Sequence, residues 1–91
     1  MPKIDDIRRV ISELDDSLLH IISSRLELMP AVIKYKAQND LPILDENREK
    51  AIIEKKMKQA VERGLNPVFI EQLYRLIIEE SKRIQKGIMK K

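Results

Sequence analysis

From Ile7 onward the chain sets an apolar residue alternately four and three positions apart: Ile7, Ile11, Leu14, Leu18, Ile21, then Leu28, Val32 and Tyr35. A row of that spacing, sustained over about four heptads, fits only a long helix with one apolar seam. One position breaks it. Arg25 stands where the row asks for an apolar side chain, and Lys36 follows eleven residues later. Eleven steps of about 100° end within about 20° of the starting direction after three turns, so the two cations share a face at different heights. Pro30 lies between them in RLELMPAVIKYK.

Beyond Tyr35 the turn-forming run NDLPI closes the first helix near Asn39. Asp45 is placed to cap a second helix with the apolar stripe Ile52, Ile53, Met57, Ala60 and Val61, and Gly64 stops it. Asn66 and Pro67 form a cap and first-turn proline for a third helix that presents Ile70, Leu73, Tyr74, Ile77, Ile84 and Ile88. The pattern predicts one all-α domain over residues 1–91, with helices at roughly 5–38, 46–63 and 67–87. Composition agrees, with 43% hydrophobic residues, 3% aromatic and two glycines.

The first helix is too long for its own globule. Some 33 residues at about 1.5 Å each reach roughly 50 Å, whereas a compact chain of this length has a radius of gyration near 12 Å. The projecting seam needs a cover, which predicts an intertwined homodimer with paired long helices. A hairpin folded back at Pro30 is the alternative.

Eighteen basic residues against fifteen acidic ones leave a net charge of +3. Such a balance suits a solvated helical surface, and the basic end KRIQKGIMKK suits a helix C-terminus. No aromatic residues interleave with these lysines, so nucleic acid is not an expected partner. The absence of cysteine excludes disulfides, thiolate metal sites and cysteine nucleophiles. No apolar run approaches the roughly 18 residues of a membrane span, and MPKIDDIRR has no signal-peptide core. A cytoplasmic protein without membrane association is expected.

Polar residues recur where apolar ones belong. Arg25 breaks the seam, Ser81 occupies the row Tyr74, Ile77, Ser81, Ile84, Ile88, and Gln85 lies one turn beyond it. Asp45 and Glu49 are also one turn apart, with Arg48 beside them. Singly, each has a structural reading: a register-setting arginine, a tolerated serine, a cap, an exposed salt-bridge cluster. Together they turn polar groups inward from three helices, and buried charge is costly unless paired. Cations from the first two helices and neutral donors from the third make a pocket for a small dianion. Arg8, about 25 Å from Arg25 along a straight helix, reaches no such ligand within its own chain. In an antiparallel dimer it reaches the partner's pocket.

The segments IRRVISELD (7–15), SSR (23–25), KYK (34–36), DENRE (45–49) and LIIEESKRIQ (76–85), in this order and spacing, resemble the all-helical chorismate mutases, small three-helix chains that form intertwined dimers. The resemblance implies an isomerase of phenylalanine and tyrosine biosynthesis. It would convert chorismate to prephenate by an intramolecular Claisen rearrangement, with no covalent intermediate, cofactor or metal. It implies that Arg25 and Arg8 of the partner subunit hold the two carboxylates, and that Lys36 and Gln85 donate to the ether oxygen. Glu49, assisted by Asp45, receives the ring hydroxyl, Ser81 meets a carboxylate, and Arg48 adds positive field near Glu49. Pro30 departs from the uninterrupted first helix expected of the family, and a bend rather than a break is predicted there.

Two other readings stand beside this one. An isochorismate–pyruvate lyase of the same fold would use a similar cation set, and the acids of DENRE favour the mutase. A non-catalytic helical dimerisation or regulatory module would use the seam without the pocket. His20 points away from the face of Arg25 and is expected to be exposed. The chain ends without a regulatory or dehydratase segment, so a stand-alone activity is expected.

Overall fold

In the computed structural model, residues 3–42 and 44–89 are described. Met1, Pro2, Ile43 from the turn run and the last two lysines of the basic end lie outside the described residues. Among the described residues there are four helices: α1 (Ile4–Glu27), α2 (Met29–Gln38), α3 (Glu46–Glu62) and α4 (Pro67–Met89). No strand occurs among the described residues.

The predicted first helix is present but divided at one residue, Leu28. Pro30 lacks the N–H that would bond the Leu26 carbonyl, and its ring crowds that carbonyl. Leu28 therefore turns its N–H to the Arg25 carbonyl at 3.3 Å, and the ladder resumes with Val32 N–H to the Leu28 carbonyl at 3.0 Å. Pro30 thereby falls in the first turn of α2, where a missing N–H is tolerated. Leu28 keeps right-handed helical angles, φ −81° and ψ −10°, so the chain continues onward instead of folding back. The longest dimension of the molecule, 57 Å, is close to the roughly 52 Å that a continuous helix over residues 4–38 would span. The hairpin alternative is thus excluded.

Packing is concentrated between α3 and α4 and between α2 and α4. The buried apolar side chains are Met29 of α2, Ile53 and Ala60 of α3, and Ile78 of α4. Two apolar assignments differ from expectation. Val61 is exposed, one step of about 100° past Ala60 and off the packed face. Ile78, absent from the predicted α4 stripe, is buried, and Ile77 only half-buried. α1 buries no residue at all, and Ile7, Ile11, Leu14, Leu18 and Ile21 are all exposed. The radius of gyration is 16.8 Å, against about 12 Å for a compact chain of this length.

The joints follow the predicted chemistry. Asp45 caps α3 by accepting from Arg48 N–H at 3.1 Å, and Asn66 Oδ1 accepts from Val68 N–H at 2.9 Å at the start of α4. After α3, Leu65 N–H reaches the Ala60 carbonyl at 2.8 Å and Gly64 N–H the Val61 carbonyl at 3.1 Å, the paired closure of a Schellman motif. Gly64 makes that closure with φ +72°. A Cβ there would meet no atom within 4 Å, so only backbone strain opposes it. Gly64→Ala is expected to lower stability by about 1 kcal/mol in urea unfolding, with the site below unaffected.

Candidate active site

A pocket of about 200 Å³ opens where the end of α1, the length of α2, the start of α3 and the second half of α4 meet. Each of these elements contributes polar side chains. Arg25 comes from α1 and Lys36 from α2; Asp45, Arg48 and Glu49 line the side at the α3 N-terminus, and Ser81 and Gln85 line the α4 side. The seven intrachain residues predicted from sequence thus share one cavity. Arg8 does not join them: it is exposed and lies 4.0 Å from Asp5 on the outer part of α1. His20 is exposed, as its position on the helix predicts.

Ser81 and Gln85 are 5% and 6% exposed and are the buried polar residues of the described chain. Buried polar atoms require partners, and both find them on the first two helices. Arg25 Nη1 donates to Ser81 Oγ at 2.6 Å, and Ser81 Oγ donates to the Ile77 carbonyl at 2.9 Å. Lys36 Nζ donates to Gln85 Oε1 at 3.5 Å, while Gln85 Nε2 donates to Met29 Sδ at 3.4 Å. The bases of Arg25 and Lys36 lie about 16 Å apart along the helix, yet their acceptors lie one turn apart on α4. The two long side chains therefore converge, and their cationic ends bracket a compact space. The interruption at Leu28 does not disturb this: both cations still face α4.

On the opposite wall Glu49 is held by a residue that the sequence reading overlooked. Lys82 Nζ lies 3.2 Å from Glu49 Oε1 and 3.5 Å from Oε2, straddling the carboxylate. Lys82 adjoins Ser81 and precedes Gln85 by three residues, so it lies on the same side of α4. That adjacency is the signal by which the sequence could have disclosed it. Met29, Val32, Ile52 and Ile78 supply the apolar surface of the pocket. Four cations face two carboxylates around the cavity, an excess of two positive charges. Such a lining suits a small dianion with an apolar body and one neutral polar group.

Comparison with known proteins agrees with this geometry. The family model for chorismate mutase type II matches residues 7–86. A bifunctional chorismate mutase/prephenate dehydratase of Buchnera aphidicola is 33% identical over 94 residues, covering 100% of this chain and 24% of that protein. A chorismate mutase of Methanocaldococcus jannaschii is 32% identical over 84 residues, covering 92% of this chain and 85% of that protein. A 4-amino-4-deoxychorismate mutase of Streptomyces venezuelae is 25% identical over 87 residues, with coverages of 96% and 84%. The chain spans about a quarter of the length of the bifunctional relative, 24%.

The hydrogen bond from Arg25 is the testable part of this arrangement. Ser81→Ala removes its acceptor and is expected to cost about 1 kcal/mol of stability, read from the urea midpoint, with helix content by circular dichroism unchanged.

Proposed function

The chain belongs to the type II chorismate mutase family, and from that premise we propose that it rearranges chorismate to prephenate. The observation that carries the proposal is the convergence of seven predicted polar residues from separate segments on one cavity with an excess of positive charge. The reaction moves a bond within one molecule, so it asks for no nucleophile or proton relay. It asks for a compact conformer held in place and for stabilisation of the charge that grows on the ether oxygen as its bond breaks.

In this proposal Arg25 binds one substrate carboxylate. It uses one N–H on Ser81, and a guanidinium presents five. Ser81 meets the same carboxylate once its hydroxyl turns from the Ile77 carbonyl. Lys36 and Gln85, already joined, meet the ether oxygen from one side. Gln85 reaches it by releasing the Met29 sulfur, a weak acceptor whose loss costs little. Glu49 accepts the ring hydroxyl with support from Asp45, and Arg48 adds positive potential. The named relatives include both a chorismate mutase and a 4-amino-4-deoxychorismate mutase, so the ring substituent is the feature on which family members differ.

The second carboxylate is assigned to Arg8 of the partner subunit. An antiparallel homodimer brings it there, and the exposed apolar row of α1 supports that assembly. So does an apolar groove of about 530 Å³, lined in part by Leu28, Ala31, Tyr35 and Leu41, which shares Val32, Lys36, Asp45 and Arg48 with the pocket. Seating a partner helix there would cover the apolar seam and close the site in one step. A cytoplasmic location suits this biosynthetic role. Among the described residues no helix is long and apolar enough to cross a membrane.

The decisive assay is prephenate formation from chorismate, with pyruvate release from isochorismate as the competing outcome. Lys36→Ala is expected to lower chorismate turnover by a factor of order 10² or more, as for removal of an oxyanion-type donor; unaltered turnover would remove Lys36 from its assigned role. The shared site is tested by mixing subunits. Arg8→Ala and Arg25→Ala chains, each inactive alone, should regain up to about a quarter of wild-type activity on equal mixing, because one site of each heterodimer carries neither lesion. Verified subunit exchange without recovery would contradict the dimer.

A further inference from the structure

Resting on the chorismate reading above, we infer that Lys82 is the residue that selects the substituent on the substrate ring, accepting a hydroxyl and rejecting an amine. The geometry is on α4 and α3. The Lys82 ammonium straddles both oxygens of Glu49, at 3.2 Å and 3.5 Å, and both side chains are largely withdrawn from water, at 30% and 22% exposure. Both line the pocket, together with Arg48 and Asp45.

A carboxylate offers about four acceptor sites on its two oxygens. Glu49 can therefore keep Lys82 and still accept one hydrogen bond from a ligand. Any group docked on it then sits within about 6 Å of the Lys82 ammonium, given hydrogen-bond lengths near 3 Å on each side. A hydroxyl donates there without charge. An alkylamine is an ammonium near neutral pH, so it would bring a like charge against Lys82 and toward Arg48. In a half-buried pocket such a juxtaposition is poorly screened, and like charges set face to face discriminate between otherwise equivalent ligands. The overall balance points the same way. The pocket lining carries an excess of positive charge, and replacing a neutral hydroxyl by an ammonium weakens the ligand's attraction to it. Lys82 also answers to Glu49, which without it would present an uncompensated negative charge to the ring substituent and would favour the amine.

The experiment compares kcat/KM for chorismate and for 4-amino-4-deoxychorismate in the full chain and in Lys82→Met, Lys82→Gln and Lys82→Arg variants, each checked for helix content. The unaltered protein should prefer chorismate. In Lys82→Met and Lys82→Gln the amine-to-hydroxyl ratio of kcat/KM should rise by about tenfold or more, while Lys82→Arg, which keeps the charge, should hold the original ratio. A residue that merely braces the pocket would lower both values together, and an unchanged ratio would overturn the assignment, as would a preference for the amine in the unaltered protein. Where a folded variant turns over neither compound, the ratio of their dissociation constants takes the place of the kinetic ratio and is judged in the same way. Failure of the unaltered protein to convert chorismate would instead refute the parent reading, so the two failures are distinct.

Discussion

The structure depends on a single bargain: α4 buries two polar side chains, and the first two helices satisfy them. Without Arg25, Ser81 Oγ would keep only its bond to the Ile77 carbonyl, and without Lys36, Gln85 Oε1 would lose a donor in the packed face of α4. Burial of a polar atom without a partner costs about 1–3 kcal/mol, so these contacts favour the packing of the end of α1 and of α2 on α4. They are also the means by which two long, mobile cations are brought to fixed positions around a cavity. The same bonds therefore hold the helices in register and prepare the site, and a ligand that competes for the cations finds them already aimed.

That arrangement explains why a proline in the first helix is tolerated. A helix interior charges about 3 kcal/mol or more for proline, but Pro30 sits in the opening turn of α2, where its N–H is not needed. The discontinuity is confined to Leu28, which retains right-handed angles. Arg25 lies before it and Lys36 after it, and each has its own acceptor on α4. Neither cation relies on an unbroken ladder to find its place. The proline is therefore a local feature of the helix path, neutral toward the site's composition.

Much of this was legible in the chain. The four-and-three row from Ile7 marked the long helix, and the caps Asp45 and Asn66 with Gly64 marked the joints because their chemistry is local. Arg25 and Ser81 were legible because each stands in an apolar row, and Lys36, Asp45, Arg48, Glu49 and Gln85 through their spacing and the family resemblance. What escaped was set by tertiary contact. Lys82 violates no apolar pattern, and its place beside Ser81 is the one hint in the sequence, which gains its meaning when Glu49 is seen opposite it. Val61 lies at the exposed edge of a stripe whose other members, Ile53 and Ala60 among them, do pack, and Ile78 is buried beside the predicted row of α4, because where a stripe ends is set by the neighbouring helix. The sequence marked Pro30 but not that the interruption would fall at Leu28.

The site's chemistry follows from what its residues are unable to do as much as from what they do. Arg25 and Arg48 bring guanidinium groups, positive charge with several hydrogen-bond donors, to the pocket lining. No cysteine occurs in the sequence, and the hydroxyl of Ser81 is turned to a main-chain carbonyl with no histidine beside it in the pocket lining. A lining of this kind is unsuited to covalent attack and well suited to a reaction whose barrier lies in conformation and in charge moving onto one oxygen. Preorganised donors contribute most where they need not reorient during the reaction. The mutual contacts of Arg25 with Ser81 and of Lys36 with Gln85 hold both cations beside the cavity before any ligand arrives.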